Sequence, residues 1–185
     1  FWRHIPYPAV LKGNCGGEGS EVFLAASPEQ VEPIVGLLGS IERGGFAGFV
    51  VQRFVPTDGR DLRVVVIGNR FYSYWRVQRD GTNFLHNLAQ GATIDEHSDP
   101  HLQQTGVAAV AELCRRTGIN LAGFDVLFPC RNGILSGQPL LLEVNYFFGR
   151  TGLGGSERFY RLLQEAVAEW LAERAVQLHP VRRPN

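Results

Sequence analysis

The fold of this chain is decided by residues 121–145, whose sequence is LAGFDVLFPCRNGILSGQPLLLEVN. Two apolar runs, Leu121–Phe128 and Pro139–Val144, flank a segment that contains Asn and Gly. Short apolar runs that are bounded by turn-forming residues predict buried β-strands. If the two strands pair as a hairpin, the polar side chains that interrupt them come to lie side by side.

Three residues with oxygen-bearing side chains interrupt these runs: Asp125, Glu143 and Asn145. Residues two apart in a strand share a face, so Glu143 and Asn145 point the same way. Two carboxylates and an amide are hard oxygen donors, which suit Mg²⁺ or Mn²⁺ held together with substrate phosphates. The alternative is a pair of edge strands with exposed acids. Because burying an unpaired carboxylate is costly, an acid within LLLEVN favours the metal site.

The sequence AGFDVL followed by LLLEVN resembles the metal-binding end of ATP-grasp enzymes, closest to the RimK-like amino-acid ligases. That family carries an Asp on one strand and Glu-x-Asn on the next. The resemblance implies that Asp125, Glu143 and Asn145 hold Mg²⁺ on the phosphates of ATP. It extends over nearly the whole chain, from Ala9 to about Arg174.

A Gly-rich segment, GNCGGEGS at residues 13–20, lies between two predicted strands. Its backbone N–H groups can approach phosphates, although a plain Gly-rich hairpin is the simpler interpretation of these residues alone. Beside the predicted metal site, the segment resembles the ATP-grasp lid, in which a strand lysine precedes a Gly-rich loop. The resemblance implies that Lys12 contacts nucleotide phosphates, and the alternative is a solvated strand end. The glycines that match the lid are Gly16, Gly17 and Gly19.

The predicted strand at Phe49–Val55 resembles the family's hinge, which contacts adenine through backbone hydrogen bonds. The residues that the resemblance assigns to this hinge are Gln52, Arg53, Phe54 and Val55. The family commonly has an acid where Arg53 stands. Asp61, in the sequence GRDLR, matches a ribose-contacting Asp, and Asn87 matches the Asn of a segment that contacts the nucleotide or the metal.

Arg63 and Arg76 fall on neighbouring strands of a hairpin that is predicted around Gly68-Asn69. The resemblance implies that both arginines face the phosphates or the acyl phosphate, while ordinary surface arginines are the alternative. A histidine in a polar loop, His86, is more often structural than catalytic and is left out of the predicted site.

An aromatic and Gly-rich segment, YFFGRTGLGG at residues 146–155, directly follows the predicted metal strands. We interpret its aromatic residues as a wall of the substrate site. Arg150 within it is suited to binding a carboxylate, because a guanidinium matches that group with two parallel hydrogen bonds. A packed turn with a surface arginine is the alternative.

Three helices are predicted, from Ser27 to about Ser40, from about His101 to Thr117, and from Ser156 to Arg174. The first opens with Ser-Pro-x-Gln, which is typical of a capping box, and Gly118 ends the second. The third carries an apolar stripe that we predict to be core. Its residues are Phe159, Leu162, Leu163, Ala166, Val167, Trp170 and Leu171.

The composition fits a globular protein with balanced charge. Of 185 residues, 44% are apolar, and 18 basic residues match 18 acidic ones. A neutral chain argues against nucleic-acid or anionic-membrane partners, and no apolar run approaches the roughly 20 residues that a membrane span needs. Three cysteines without metal-ligand spacing fit a cytoplasmic protein.

The predicted fold class is α+β, an ATP-grasp fold with two lobes of antiparallel sheet plus helices and the nucleotide between them. Residues 1–49 form the small lobe with the lid, residues 50–176 form the larger lobe with hinge and metal site, and residues 177–185 form a tail. The resemblance also implies an additional domain upstream, so we expect the chain to be the ATP-binding part of a longer protein.

The implied function is an ATP- and Mg²⁺-dependent ligase that activates a small-molecule or peptide carboxylate as an acyl phosphate and joins it to an amine. Two alternatives remain open. One is a nucleotide-binding module without catalysis, and the other is a kinase on the same fold. The sequence does not identify either substrate.

Overall fold

The computed structural model describes residues 2–13, 19–41 and 48–178, and within these ranges the chain forms ten β-strands and three α-helices. The strands are β1 (Ala9–Gly13), β2 (Val22–Ala25), β3 (Phe49–Arg53), β4 (Arg60–Ile67), β5 (Arg70–Val77), β6 (Thr93–Asp95), β7 (Leu121–Leu127), β8 (Cys130–Arg131), β9 (Ile134–Leu135) and β10 (Leu140–Asn145). The helices are α1 (Val31–Ile41), α2 (Pro100–Thr117) and α3 (Ser156–Leu178). The predicted lid glycines Gly16 and Gly17 lie outside the described residues.

The smaller sheet has the strand order β2-β1-β3, and both strand pairs are antiparallel. Because side chains alternate along a strand, Leu11 faces α1, where it packs with Val31 and Leu38. Val10 and Lys12 therefore face away from α1, toward the second sheet.

The larger sheet has the strand order β10-β7-β4-β5-β6 and is antiparallel throughout. Helix α2 covers one face, where Val64 packs with Phe124, and α3 covers part of the other, where Val65 packs with Phe159. The sequence RDLRVVVI of β4 is buried from its second residue onward, because helices or the site cover both faces. The predicted α+β architecture of antiparallel sheets with helices is confirmed.

The pairing of β3 with β1 bears on the predicted division into lobes. Residues 49–53 are hydrogen-bonded to β1, so the strand that follows the predicted boundary at residue 49 belongs to the smaller sheet. The division at residues 1–49, 50–176 and 177–185 otherwise stays a prediction.

The apolar stripe of α3 is only partly core, which corrects the sequence-based expectation. Phe159 and Ala166 are buried, whereas Val167, Trp170 and Leu171 are each about half exposed. The helix has 23 residues and is therefore about 35 Å long, whereas the eight-residue strands under it span about 26 Å. A β-carbon at Gly68, in the turn between β4 and β5, would lie 2.8 Å from Ala166 Cβ, so the helix reaches the end of these strands near residue 166. Val167, Trp170 and Leu171 come after that point and are covered only in part.

A search of the described helices for a membrane span finds no segment with the length and apolar character to cross a bilayer.

Candidate functional site

A cleft of about 1230 Å³ separates the two sheets. Side chains from β1, β2 and β3 form one wall, and side chains from β4, β5, β7 and β10 form the other. Its lining includes thirteen of the residues that were predicted for the site. They are Lys12, Gly19, Gln52, Arg53, Phe54, Val55, Asp61, Arg63, Arg76, Asn87, Asp125, Glu143 and Asn145.

Four buried charges of alternating sign form a continuous chain across the floor of the cleft. Arg76 donates two hydrogen bonds to Asp61, with Nε–Oδ1 at 2.8 Å and Nη2–Oδ2 at 2.5 Å. The same guanidinium lies 3.0 Å from Asp125 Oδ2, and Arg63 Nε lies 2.6 Å from Asp125 Oδ1. All four residues are buried, which excludes the alternative that Arg63 and Arg76 are ordinary surface arginines.

The strand register explains how this chain of charges assembles. Asp61 is paired with Arg76 across β4 and β5, and Arg63 is paired with Asp125 across β4 and β7. Residues that are directly opposite in an antiparallel pair have neighbouring side chains on one face. Each acid therefore meets an arginine because of where it lies along its strand.

Burial and the neighbouring charges act in opposite directions on the two acids. Burial raises the pKa of Asp125 to about 6, although the charges of Arg76 and Arg63 oppose the rise. Burial also acts to raise the pKa of Asp61, but the neighbouring imidazole of His86 and the charge and hydrogen bonds of Arg76 outweigh it, so this pKa is lowered. Asp61 is therefore the acid that is held more firmly in its charged form.

The second predicted metal carboxylate, Glu143, lies at the rim of the cleft. Asn145 Nδ2 donates to Glu143 Oε1 at 3.0 Å and lies 3.4 Å from Asp125 Oδ2. Lys12 Nζ lies 3.3 Å from Glu143 Oε2 and so connects the smaller sheet to the larger one. Burial acts to raise the pKa of Glu143, but the hydrogen bond from Asn145 and the charge of Lys12 lower it overall.

The three predicted metal ligands are close enough to share one cation. Glu143 is paired with Asp125 across β10 and β7, at an irregularity of register between Leu141 and Glu143. Two carboxylates and an amide oxygen are donors that fit Mg²⁺ or Mn²⁺, particularly when phosphate oxygens complete the coordination. A cluster of three or more His, Cys, Asp or Glu side chains suited to a metal does not occur among the described residues. Because Asp125, Glu143 and Asn145 supply only part of a six-coordinate shell, this set fits a cation that is shared with a ligand.

The predicted alternative for these strands, edge strands with exposed acids, is only half correct. Strand β10 is indeed at the edge of its sheet, and the side chain of Glu143 is 40% exposed. Asp125 on β7 is buried.

A loop from residue 78 to residue 91 forms one side of the cleft, and buried Gln78 holds it in place. Gln78 Nε2 donates to the carbonyls of Leu85 at 3.2 Å and Gln90 at 2.9 Å, and Gln78 Oε1 accepts the Asp80 N–H at 3.1 Å. The loop places Asn87 in the lining of the cleft.

The same loop comes close to the end of the Gly-rich segment. Gly19 has φ +79°, and a β-carbon there would lie 3.2 Å from Asn87 Oδ1 and 3.3 Å from Leu85 Cδ1. Glycine is favoured at this position both by the positive φ and by the close approach. The end of the Gly-rich segment and the loop are therefore close neighbours at this point.

His86 is the residue of this loop that sequence reasoning left out. It is buried, lines the cleft, and has Nδ1 3.7 Å from Asp61 Oδ2. Nothing in the local sequence FLHNL distinguishes it from a structural histidine, because its charged neighbour is 25 residues away along the chain. Gln78 was missed for the same reason, since its partners are backbone carbonyls of a loop.

The predicted hinge lines the cleft, and part of its backbone already forms a hydrogen bond within the protein. The Phe54 N–H donates to the Pro8 carbonyl at 2.9 Å, so this donor is used within the protein. Gln52 Oε1 is buried and lacks a hydrogen-bond partner within the described part of the chain. Arg53 is exposed. The hinge therefore offers one buried acceptor to a ligand.

The segment after β10 packs closely against β7 through Phe148. A β-carbon at Gly123 would lie 2.8 Å from Arg63 Nη1 and 3.1 Å from Phe148 Cβ, so the missing side chain makes room for both. Phe147, by contrast, is almost fully exposed at the mouth of the cleft.

Arg150 is placed differently from the other predicted site residues. Its guanidinium lies 4.8 Å from the ring centres of both Phe159 and Tyr160, and Nη1 donates to the Tyr160 hydroxyl at 3.0 Å. It is not among the described residues that line the cleft. The packed-turn alternative describes this arrangement, and a role in binding a carboxylate stays a prediction.

Comparison with protein families gives one match that covers most of the chain. The model of the RimK-like ATP-grasp domain matches residues 2–160. A relative from Xanthomonas campestris pv. campestris (strain B100), named a probable alpha-L-glutamate ligase, is 33% identical over 152 residues. The match covers 81% of this chain and 47% of the relative, so the chain spans about half the length of that relative.

Solved structures show the same fold. The RimK domain ATP-grasp protein from Sphaerobacter thermophilus superposes with a TM-score of 0.58 at 22% identity, covering 87% of this chain and 53% of that chain. The RiPP-associated ATP-grasp ligase of Chryseobacterium gregarium, solved with ADP and with a leader and core peptide, gives a TM-score of 0.53 at 13% identity and covers 90% of this chain and 48% of that one.

Proposed function

Because the chain belongs to the RimK-like ATP-grasp family, we propose that its cleft binds ATP with Mg²⁺ or Mn²⁺ and activates a carboxylate for joining to an amine. The observation that carries the proposal is the meeting of three cations, Lys12, Arg63 and Arg76, with the predicted metal ligands in one cleft. The predicted ATP-grasp fold itself is confirmed by the superpositions.

The apolar and hydrogen-bonding groups of the cleft suit a nucleobase. Val10 on the smaller sheet and Leu142 on the larger one both line the cleft, so they offer apolar surface on its opposite walls. The unpartnered Gln52 Oε1 can accept a hydrogen bond from an exocyclic amino group, which adenine carries. We therefore place the base near β3 and the phosphates near Lys12.

The charged end of the cleft suits the phosphates and the transferred phosphoryl group. Asp125, Glu143 and Asn145 would hold the divalent cation, which supplies positive charge to the phosphate oxygens. Arg63 and Arg76 are fixed by buried ion pairs before any ligand arrives, so they stabilise developing negative charge without rearranging. In this proposal Asp61 accepts two hydrogen bonds from Arg76 and so positions its guanidinium. A contact with the ribose of ATP is a second proposed role of Asp61.

The proposed reaction has two steps. A carboxylate oxygen of the first substrate attacks the γ-phosphorus of ATP, forming an acyl phosphate and releasing ADP. The nitrogen of the amine then attacks the acyl carbon, phosphate leaves, and the nitrogen loses a proton. Water would hydrolyse the acyl phosphate, so a cleft that closes between two sheets protects it.

The substrates other than ATP, a carboxylate and an amine, are proposed by chemical class. The name of the Xanthomonas relative makes L-glutamate the first amino acid to test as the amine. The exposed ring of Phe147, in the lining of the cleft, is a candidate for contact with a substrate. Arg150 is a candidate only for a substrate that extends beyond this lining. The predicted upstream domain and the cytoplasmic location stay predictions.

Binding and turnover of ATP test the proposal directly. Mg-ATP is expected to raise the unfolding temperature of the chain, and Glu143→Gln is expected to lose most of this rise because the cation loses a ligand. The matched control is Glu112→Gln, which removes an exposed carboxylate charge on α2 that pairs with Arg115 and Arg116. ADP release should require both a carboxylate and an amine.

Two other outcomes of these experiments would support the alternative functions, and a third would contradict the proposal. Nucleotide binding without ADP release under any substrate pair would support the binding-module alternative. A stable phosphorylated product would support the kinase alternative. If Mg-ATP does not change the unfolding temperature of the parent chain, the proposal as a whole is contradicted.

A further inference from the structure

Lys12 and Glu143 form an ion pair that joins the two sheets across the cleft. Lys12 Nζ lies 3.3 Å from Glu143 Oε2, although the residues are 131 positions apart in sequence. Their side chains are 18% and 40% exposed, so the pair is neither buried nor fully solvated. The resemblance assigned Lys12 to the nucleotide and Glu143 to the metal, and did not anticipate a contact between them.

The remaining carboxylate oxygens of the predicted metal site are also engaged within the chain. Glu143 Oε1 accepts a hydrogen bond from Asn145, and the two oxygens of Asp125 contact Arg63 and Arg76. The two arginines are buried and held at several points. Lys12, on a flexible stem from the other sheet, is the partner that can leave without breaking a buried ion pair.

Within the ion pairs that link Lys12, Glu143 and the buried charges, positive and negative charges are balanced. Lys12, Arg63 and Arg76 contribute three positive charges, and Asp61, Asp125 and Glu143 contribute three negative ones. A divalent cation that arrives alone would compete with Lys12 for Glu143 and would create an excess of positive charge. A nucleotide triphosphate brings negative charge, which gives Lys12 a new partner and frees Glu143.

We propose that Lys12 takes the place of a cation at Glu143 until a nucleotide binds, and that metal binding is therefore conditional on the nucleotide. Lys12 is a positioning residue that first pairs with the carboxylate of Glu143 and, once a nucleotide has bound, pairs with its phosphates. This inference rests on the proposed ATP site. It adds an order of events, in which the nucleotide phosphates draw Lys12 away and the metal ligand becomes available.

The test measures binding of Mn²⁺ alone, without nucleotide, by the loss of the free-ion signal in electron paramagnetic resonance. Lys12→Met removes the charge and keeps most of the side chain, so Mn²⁺ should bind about twofold to fivefold more tightly, the change expected for removing a partly exposed ion pair. Lys12→Arg keeps the competing charge and should bind Mn²⁺ as the parent chain does. Arg115→Met controls for net charge, because that residue lies on α2 and pairs with Glu112.

The same variant should change nucleotide binding in the opposite direction. Lys12→Met is expected to bind Mg-ATP more weakly than the parent, because the phosphates lose a cation. Tighter Mn²⁺ binding together with weaker Mg-ATP binding supports the inference, and general damage to the fold cannot produce both. Lys12→Gln serves as a second uncharged variant if Lys12→Met does not fold.

Unchanged or weaker Mn²⁺ binding in the folded uncharged variant would overturn the inference. If the parent chain binds no nucleotide, the proposed function fails, and the Mn²⁺ comparison still decides whether Lys12 competes for Glu143. The two proposals are therefore tested separately.

Discussion

Asp61, Arg76, Asp125 and Arg63 are buried charges that depend on one another. Removing a charged group from water costs several kcal/mol, and a buried pair offsets this cost only when its hydrogen bonds are well formed. In this chain each charge contacts one of opposite sign within 3.0 Å, and Arg76 serves two acids. The removal of one acid therefore leaves Arg76 buried with one partner instead of two.

Asp61→Asn tests this dependence. The substitution keeps the shape of the side chain but removes the charge that accepts two hydrogen bonds from Arg76, which keeps Asp125 as its other partner. We therefore expect a loss of about 1.5–3 kcal/mol in the free energy of unfolding at pH 7. Urea denaturation followed by tryptophan fluorescence measures it. A loss below about 1 kcal/mol, as for an exposed ion pair, would contradict the account.

The pH dependence of that loss follows from the lowered pKa of Asp61. A carboxyl whose pKa is lower in the folded state stabilises the fold above its unfolded-state pKa of about 4, and this contribution disappears as the pH falls through the folded-state value. The difference in stability between the parent and Asp61→Asn should therefore narrow below about pH 4. A difference that stays constant to lower pH would mean that the carboxylate charge is not responsible.

Two helix glycines show how packing decides the effect of one substitution. Gly106 in α2 lies against the sheet, and a β-carbon there would be 2.4 Å from Leu62 Cδ2, which is buried. Gly36 in α1 is exposed, and a β-carbon there would meet no atom within 4 Å among the described residues. Sequence position alone does not separate the two glycines.

We expect opposite results from Gly106→Ala and Gly36→Ala. Each gains about 0.8–1 kcal/mol of helix propensity. Gly106→Ala also forces Leu62 to move in a packed core, which costs about 1–3 kcal/mol, so it should be destabilising by roughly 1 kcal/mol overall. Gly36→Ala should raise the free energy of unfolding. Stabilisation by both substitutions would show that Leu62 moves aside at little cost.

The two ends of α3 should respond differently to substitution. Phe159 packs in a buried cluster with Val65 and Leu153, so Phe159→Ala should cost about 3–5 kcal/mol. Leu171 is 55% exposed, so Leu171→Gln should change the free energy of unfolding by no more than about 0.5 kcal/mol. Chemical denaturation of both variants measures the difference. A large loss in Leu171→Gln would indicate that another surface covers this end of the helix.

The two sheets have cores of different size, and this affects how the molecule opens. Within the described residues, the smaller sheet is held by a cluster of four buried residues, while the larger one has clusters of ten and six. Regions with few buried apolar contacts open with lower free energy. The wall of the cleft that carries Lys12 is therefore the more easily opened one.

Native-state hydrogen exchange tests this difference between the sheets. Amides of β4 and β7, which are interior strands of the larger sheet, should exchange most slowly, and amides of β1 and β2 should exchange faster. Mg-ATP should slow exchange in β1 and β2 more than in β4, because a ligand bound to both walls holds the smaller sheet in place. Equal rates of amide exchange in the two sheets would contradict the inference that the smaller sheet opens more easily.

The sequence by itself determined the longer strands, the existence of the three helices and the likeness to a family, because each depends on local pattern. The short strands β6, β8 and β9 were not predicted, and α1 begins at Val31 instead of Ser27. The apolar runs at residues 121–128 and 139–144 predicted paired strands, and the spacing of Glu143 and Asn145 predicted a shared face. Both are confirmed by the register of β7 with β10 and by the hydrogen bond between the two side chains. The predicted ends of α2, about His101 and Thr117, differ from the observed ones by no more than one residue. The C-terminal end was predictable because Gly118 caps the helix in the left-handed conformation.

Tertiary structure alone decided which charges meet and which apolar residues are covered. The pairing of Lys12 with Glu143 and the approach of His86 to Asp61 join residues that are far apart in sequence, and no local pattern encodes their distance. Burial of the α3 stripe depended on where the sheet beneath it ends. A helical period shows which side chains share a face, but only the neighbouring elements determine how much of that face is buried.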